Sequence, residues 1–153
     1  MKEKKSFLIT TDFSESARFA YKHAIDLCKT YDGYLTLLHV INPVVVPPAY
    51  LMVTSETLVS KEKEKNVQKL INEEITNFFP EELNVDPIIA TGVPFVEIIS
   101  YARKNVIDMI IIATHGFTGL NHILFGSTAE RVVRKSPCPV LTVRKPNKPF
   151  VLP

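Results

Sequence analysis

Short apolar runs alternate along this chain with longer segments in which apolar residues return every three or four positions, the patterns of buried strands and of one-sided helices. The run SFLIT at residues 6–10 predicts a first strand, and Ala17, Ala20, Tyr21, Ala24, Cys28 and Tyr31 behind it predict a helix. YLTLLHVI at residues 34–41 predicts a second strand. A proline-containing loop at 42–54 then leads to a long polar helix with Val67, Leu70, Ile71, Ile75 and Phe78 on one face. VDPIIAT at residues 85–91 predicts a third strand, and its Pro87 cannot donate a ladder hydrogen bond, which puts the strand at a sheet edge. Gly92 and Pro94 open a third helix, with Val96, Ile99, Ala102 and Val106 as its buried stripe. DMIIIAT at residues 108–114 is apolar without alternation, as a parallel strand covered on both faces should be. A helix at 127–135 and the strand PVLTVR at 139–144 complete the series. Five strands alternating with four helices argue one α/β domain, residues 1–145, with right-handed crossovers and a C-terminal tail at 146–153. No internal repeat or linker interrupts it.

Composition narrows the classes. A chain of 153 residues with 46% hydrophobic and 22% charged residues and a net charge of +2 reads as a globular protein, long enough to bury a core without disulfides or structural metal. KEKEK at residues 61–65 alternates in sign rather than forming a basic stripe, so nucleic acid is not an expected partner. The apolar run after the N-terminal lysines is too short for a signal peptide or a membrane span. A cytoplasmic location without membrane contact is therefore expected. Cys28 and Cys138 lack CxxC or metal-ligand spacing and are expected to be reduced packing residues. His39 is expected to be a hydrogen-bonded strand residue, since no set of ligand spacing accompanies it. No metal site is expected.

Candidate chemistry concentrates in IIIATHGFTGLNHILFGSTAERVV, where three of the five glycines, Gly116, Gly119 and Gly126, lie close together. Such a cluster marks left-handed backbone or a close approach of something to the main chain. Ser127 and Glu130 have the spacing of a capping box, which by itself would explain a turn and a capped helix. A helix N-terminus also offers N–H groups and partial positive charge to an anion, so a phosphate site is the functional alternative. There is no Walker A lysine, GSTAE standing where GK[ST] would be. Ligands of open α/β sheets lie beyond the carboxyl ends of the strands, where the winding reverses. Asp12, His39, Val40 and the stretch from Ala113 to Ser127 all follow strand ends, and Asp12 meets that stretch if strands one and four are neighbours. Asp12 can instead cap the first helix, with Ser14, Glu15 and Ser16 at its start, and His115 can instead brace its loop. Asn121 and His122 read as loop surface.

The spacing from Gly116 through nine residues to Gly126 and Ser127 resembles the nucleotide-binding signature of the universal stress protein family. TDFSESARFAYKHA after strand one, LLHVI in strand two and the whole C-terminal stretch resemble it as well. The resemblance implies a doubly wound, Rossmann-like, five-stranded parallel sheet of order 3-2-1-4-5 that binds an adenine nucleotide, ATP with or without Mg²⁺. It makes Asp12 a contact on the ribose or phosphate side and Val40 an adenine contact through its backbone. Ile112, Ala113, His115 and Gly116 would lie under the ribose and phosphates, and Gly126, Ser127 and Thr128 would hold the phosphate tail. Two positions depart from the pattern: Thr10 stands where nucleotide-binding members often carry proline, and Ala113 replaces the first glycine of the signature.

Three functions follow from these residues. One is a stress-response regulator that binds nucleotide at the strand 1/strand 4 crevice and acts as a dimeric sensor or adaptor toward an unknown regulatory protein. Another is a nucleotide-free interaction protein, suggested by Ala113, Thr10 and the apolar loop VVVPPAYLMV at residues 44–53. The third is a slow nucleotide hydrolase, for which there is a site but no GxSxG elbow, no paired cysteine and histidine and no phosphate lysine. In the implied strand order the last strand, Pro139 at its start and Arg144 at its end, lies at an open edge, and pairing with its copy in a second subunit would make a homodimer.

Overall fold

The computed structural model describes residues 4–43, 56–115 and 126–145. Strand β1 (Ser6–Thr11) is followed by α1 (Glu15–Tyr31), β2 (Tyr34–Ile41), α2 (Glu56–Phe78), β3 (Val85–Thr91), α3 (Pro94–Lys104), β4 (Met109–Ala113), α4 (Ser127–Lys135) and β5 (Val140–Val143). The strands form one parallel sheet in the order β3-β2-β1-β4-β5. β3 lies at an edge, as Pro87 requires. The apolar loop at 44–53, Gly116, Gly119, Asn121, His122 and the tail at 146–153 lie outside the described residues.

Alternation along the strands builds two cores. Phe7, Ile9, Leu35, Leu37 and Ile111 face Ala20, Tyr21, Ala24 and Cys28 of α1 and Ile71 of α2. Leu8, Leu38, Ile110 and Ile112 face Ile98 and Ala102 of α3 and Ala129 and Val132 of α4. Both faces of the central strands are therefore covered, which is why β4 reads as an unbroken apolar run. Connections to β2 and β3 run to one side of β1 and those to β4 and β5 to the other, so the winding reverses between β1 and β4.

Three helix stripes differ from their periodicity. Tyr31 is 47% exposed at the last turn of α1, and Leu70 and Phe78 of α2 are 45% and 43% exposed. α2 touches the sheet through fewer positions than its apolar count suggests, and Phe78 instead receives the Arg18 guanidinium 4.9 Å over its ring. On α3 the buried residues are Ile98, Ile99 and Ala102, whereas Val96 is 44% and Val106 83% exposed. The helix stops at Lys104, so Val106 falls beyond it with a left-handed φ of 49° and Ile107 takes the buried place. Both cysteines are free, and the buried Cys28 thiol donates to the Gly33 carbonyl at 2.9 Å.

At Gly92 φ is 153°, and an added Cβ would come within 2.5 Å of Glu97 Oε1. Glycine is required at that tight entry into α3. The opposite end of the sheet is tied by Asp108, which accepts from Ser6 N at 2.8 Å and from Lys5 Nζ at 3.1 Å. The Ser6 amide and the lysine hold its carboxyl below the usual carboxylate range.

Candidate functional site

A cleft of about 420 Å³ opens at the carboxyl ends of β1, β2 and β4. Thr10, Thr11 and Asp12 line it from β1, Leu38, His39, Val40 and Asn42 from β2, and Ile112, Ala113, Thr114 and His115 from β4. Ala17 of α1, Pro94 and Ile98 of α3 and the start of α4, from Gly126 to Ala129, form the remaining described wall. Thr10, Asp12, Val40, Ile112, Ala113, His115, Gly126, Ser127 and Thr128 thus come together at the point where the winding reverses. Thr11, Ala17, Leu38, Asn42, Pro94, Ile98 and Ala129 are not among the expected site residues, while Thr114 lies in the stretch expected to follow strand four. Thr11, Ala17, Asn42, Pro94 and Ala129 stand at strand ends or in first helical turns on the side where such sheets bind ligands, whereas Leu38 and Ile98 lie inside β2 and α3 and carried no such signal.

The turn after β1 is held from within. Ser14 is the N-cap of α1, its hydroxyl accepting from Ala17 N at 3.2 Å, so that role does not fall to Asp12. Asp12 Oδ1 accepts from Ser14 N at 3.0 Å and closes a turn of its own. Between them Phe13 adopts a left-handed φ of 63°, rare for a bulky residue, with its N–H donating to Thr11 Oγ1 at 3.0 Å. Its ring lies 4.4 Å from that of His39. His39 Nδ1 donates to the Thr11 carbonyl at 2.8 Å, as expected for a hydrogen-bonded strand residue. Burial outweighs this bond and the nearby Asp12 charge, lowering the pKa of His39.

α4 begins at the cleft in a register different from the expected capping box. Gly126 is its N-cap and Ser127 its first helical residue, so the Ser127 hydroxyl is not the cap, and no side chain caps the helix. Glu130 pairs with Arg134 at 3.0 Å rather than being engaged in a box. Gly126 has φ −68° and ψ 151°, open to any residue, so its place there is not explained by backbone strain. Its N–H donates to the Thr114 carbonyl at 2.6 Å and fastens the helix start to the end of β4. The first-turn N–H groups of Ser127, Thr128 and Ala129 find no carbonyl four residues back in the helix, and all three residues line the cleft. Thr114 Oγ1 and His115 Nδ1 share a hydrogen bond of 2.9 Å. Among the described lining residues there is one carboxylate, Asp12, two histidines and no lysine or arginine.

A doubly wound parallel sheet with a helix N-terminus opening on its switch-point cleft defines a Rossmann-like α/β protein, and that cleft is where open sheets of this kind bind their ligands. The chain belongs to the universal stress protein family, whose model matches residues 4–144. It is 38% identical over 150 residues to universal stress protein MJ0531 of Methanocaldococcus jannaschii, covering 94% of this chain and 84% of that protein. The solved structure of MJ0577 from the same organism superposes with a TM-score of 0.75 at 32% identity, over 94% of this chain and 98% of that one. UspA from Lactobacillus plantarum follows with a TM-score of 0.72 at 26% identity, over 93% and 99%. Among the described residues no helix is long and apolar enough to cross a membrane.

Proposed function

We propose that this protein binds an adenine nucleotide, ATP in the first instance, in the β1/β4 cleft and acts in the cytoplasm as a dimeric, nucleotide-responsive sensor or adaptor. The observation that carries the proposal is a single cleft, entered by the N-terminus of α4, that is lined by nine of the residues the family resemblance implies. In this reading the backbone of Val40 meets the adenine, Asp12 contacts the ribose or phosphate side, and Ile112, Ala113 and His115 underlie the sugar. The amides and hydroxyls of Ser127 and Thr128, with the Gly126 backbone, hold the phosphates by dipoles rather than by a cationic side chain. Gly116 would take part from outside the described residues. Among the described residues no group of three potential ligands is poised for a metal ion; Mg²⁺ brought with the nucleotide would neutralise phosphate charge. Two structures of the same fold were solved in complex with cAMP and with dAMP, at 17% and 16% identity. They put adenine nucleotides within reach of this fold and leave the assignment to this chain's own residues.

A second reading, a nucleotide-free interaction protein, is favoured by Ala113 and Thr10, since the added methyl stands where the signature would let the sugar and phosphate approach. Calorimetry with millimolar ATP and Mg²⁺, together with mass spectrometry of whatever the denatured protein releases, separates the two. Binding at micromolar affinity or better is expected, and no heat with no released nucleotide would leave the second reading.

A further inference from the structure

A polar chain runs from α2 through the inside of the molecule to the turn that carries Asp12, and its chemistry fixes its direction. The Glu74 carboxylate, 5% exposed on α2, can only accept. Arg18 grips it with Nη2 to Oε1 at 2.6 Å and Nε to Oε1 at 3.0 Å. Tyr21 OH therefore donates to Glu74 Oε2 at 2.9 Å. With its single proton committed there, the phenol oxygen must accept from Thr11 Oγ1 at 2.6 Å. Thr11 Oγ1 in turn accepts from the N–H of Phe13, whose left-handed backbone stands between Asp12 and the Ser14 cap. From Glu74 to Phe13 the Tyr21, Thr11 and Phe13 protons each have one acceptor, so a single arrangement satisfies that path. Burial raises the phenol pKa, which keeps Tyr21 a donor.

We infer that Tyr21 and Glu74 are positioning residues for the cleft, holding the Asp12–Phe13–Ser14 turn through Thr11 so that α2 and the ligand site share one conformational equilibrium. This rests on the nucleotide reading of the cleft. The bent turn has a specific need for such support, because left-handed backbone at a bulky residue persists only where its surroundings over-determine it. Thr11 supplies two of those constraints, since its hydroxyl holds the Phe13 amide and its carbonyl holds the His39 ring that packs on Phe13.

The test uses the full chain, with ATP and Mg²⁺ as the probe, in two arms. In calorimetry Tyr21→Phe and Glu74→Leu should each weaken binding about fivefold. Glu74→Gln, whose carbonyl can still accept from Tyr21, should stay within about twofold, and Ile71→Val, a core change on the same helix, should leave affinity unchanged. In the second arm, amide hydrogen exchange without ligand should quicken about tenfold at Phe13 and Ser14 in Tyr21→Phe while core amides such as Ala24 are unaffected. Unchanged affinity in folded Tyr21→Phe and Glu74→Leu, or an equal loss in Ile71→Val, overturns the inference. If the unmodified protein binds no ATP, the nucleotide reading fails and the exchange arm decides alone. Faster exchange confined to the turn then supports positioning, and unchanged exchange overturns it.

Discussion

Replacing Gly126 by aspartate puts a carboxylate at the cap of α4, a position whose φ of −68° and ψ of 151° accept any side chain. The helix has no side-chain cap. A carboxylate there satisfies a first-turn N–H and meets the positive end of the helix dipole, together worth about 0.5–1 kcal/mol. For a domain of this size that raises Tm by about 1–4 °C. Binding should move the other way. At a separation of about 6 Å and an effective dielectric of about 20, each unit of phosphate charge held at the start of α4 would be repelled by roughly 3 kcal/mol. No lysine or arginine among the described lining residues offsets it. Allowing for water in an open cleft, affinity for ATP with Mg²⁺ should fall at least about tenfold, or 1.4 kcal/mol.

Gly126→Asn keeps the cap and nearly the same shape without the charge. The difference between the two variants in calorimetry, with thermal melts run beside it, therefore isolates the electrostatic part. A folded Gly126→Asp protein that binds ATP as the unmodified one does would refute the phosphate assignment and leave Gly126 as a helix-entry turn. A lower Tm in both variants would refute the capping argument.

Ala113→Gly should tighten nucleotide binding about fivefold by removing the methyl under the sugar, at a cost of roughly 0.5–1 kcal/mol in strand stability; titration calorimetry and denaturant melts read the two effects. His39 has a folded-state pKa below its unfolded one, so the unfolded state binds more protons as pH falls below about 6.5. Stability should be full above that pH and decline below it, and His39→Gln should flatten that part of the urea-midpoint profile. Pro139 and Val143 give their carbonyls to Ile110 and Thr114 of β4, so by the two-residue alternation Val140 and Thr142 turn their backbone groups to the open edge. Val140→Lys or Thr142→Pro should then shift a proposed dimer toward monomer in sedimentation at tens of micromolar, the proline by removing an outward donor without breaking the β4 ladder.

What could be read ahead of the structure was whatever the chain writes in neighbouring positions. The β2 and β3 bounds, the edge placement forced by Pro87 and the helix opening at Pro94 are local statements about period and about a missing N–H. The α3 stripe was misread at Val96 and Val106 because apolar spacing says which residues share a face and not where the helix stops. The capping box failed for a related reason. Ser127 and Glu130 have the right separation, but Gly126, pinned to Thr114 across the loop, moves the cap back by one residue. Nothing in the spacing could reveal Glu74, Tyr21 and Thr11 as one chain, because their hydrogen bonds join residues 53 and 10 positions apart.

The makeup of the cleft bears on what its occupancy can do. A phosphate site built on a lysine holds its ligand chiefly through charge, and that attraction acts from many directions. Here the described wall offers helix-terminal amides, hydroxyls, two histidines and one carboxylate, and amides and hydroxyls reward a phosphate only when distance and angle are right. Such a site is sensitive to small displacements of α4 or of the Asp12 turn, and each of these is fastened to another element. Gly126 ties α4 to the end of β4, while Thr11, Tyr21 and Glu74 tie the turn to α1 and α2. A ligand that favours one setting of those ties shifts the population of the elements at their far ends by its differential affinity for the two settings. That is the physical requirement for a sensor, and it can be met without any catalytic group in the cleft.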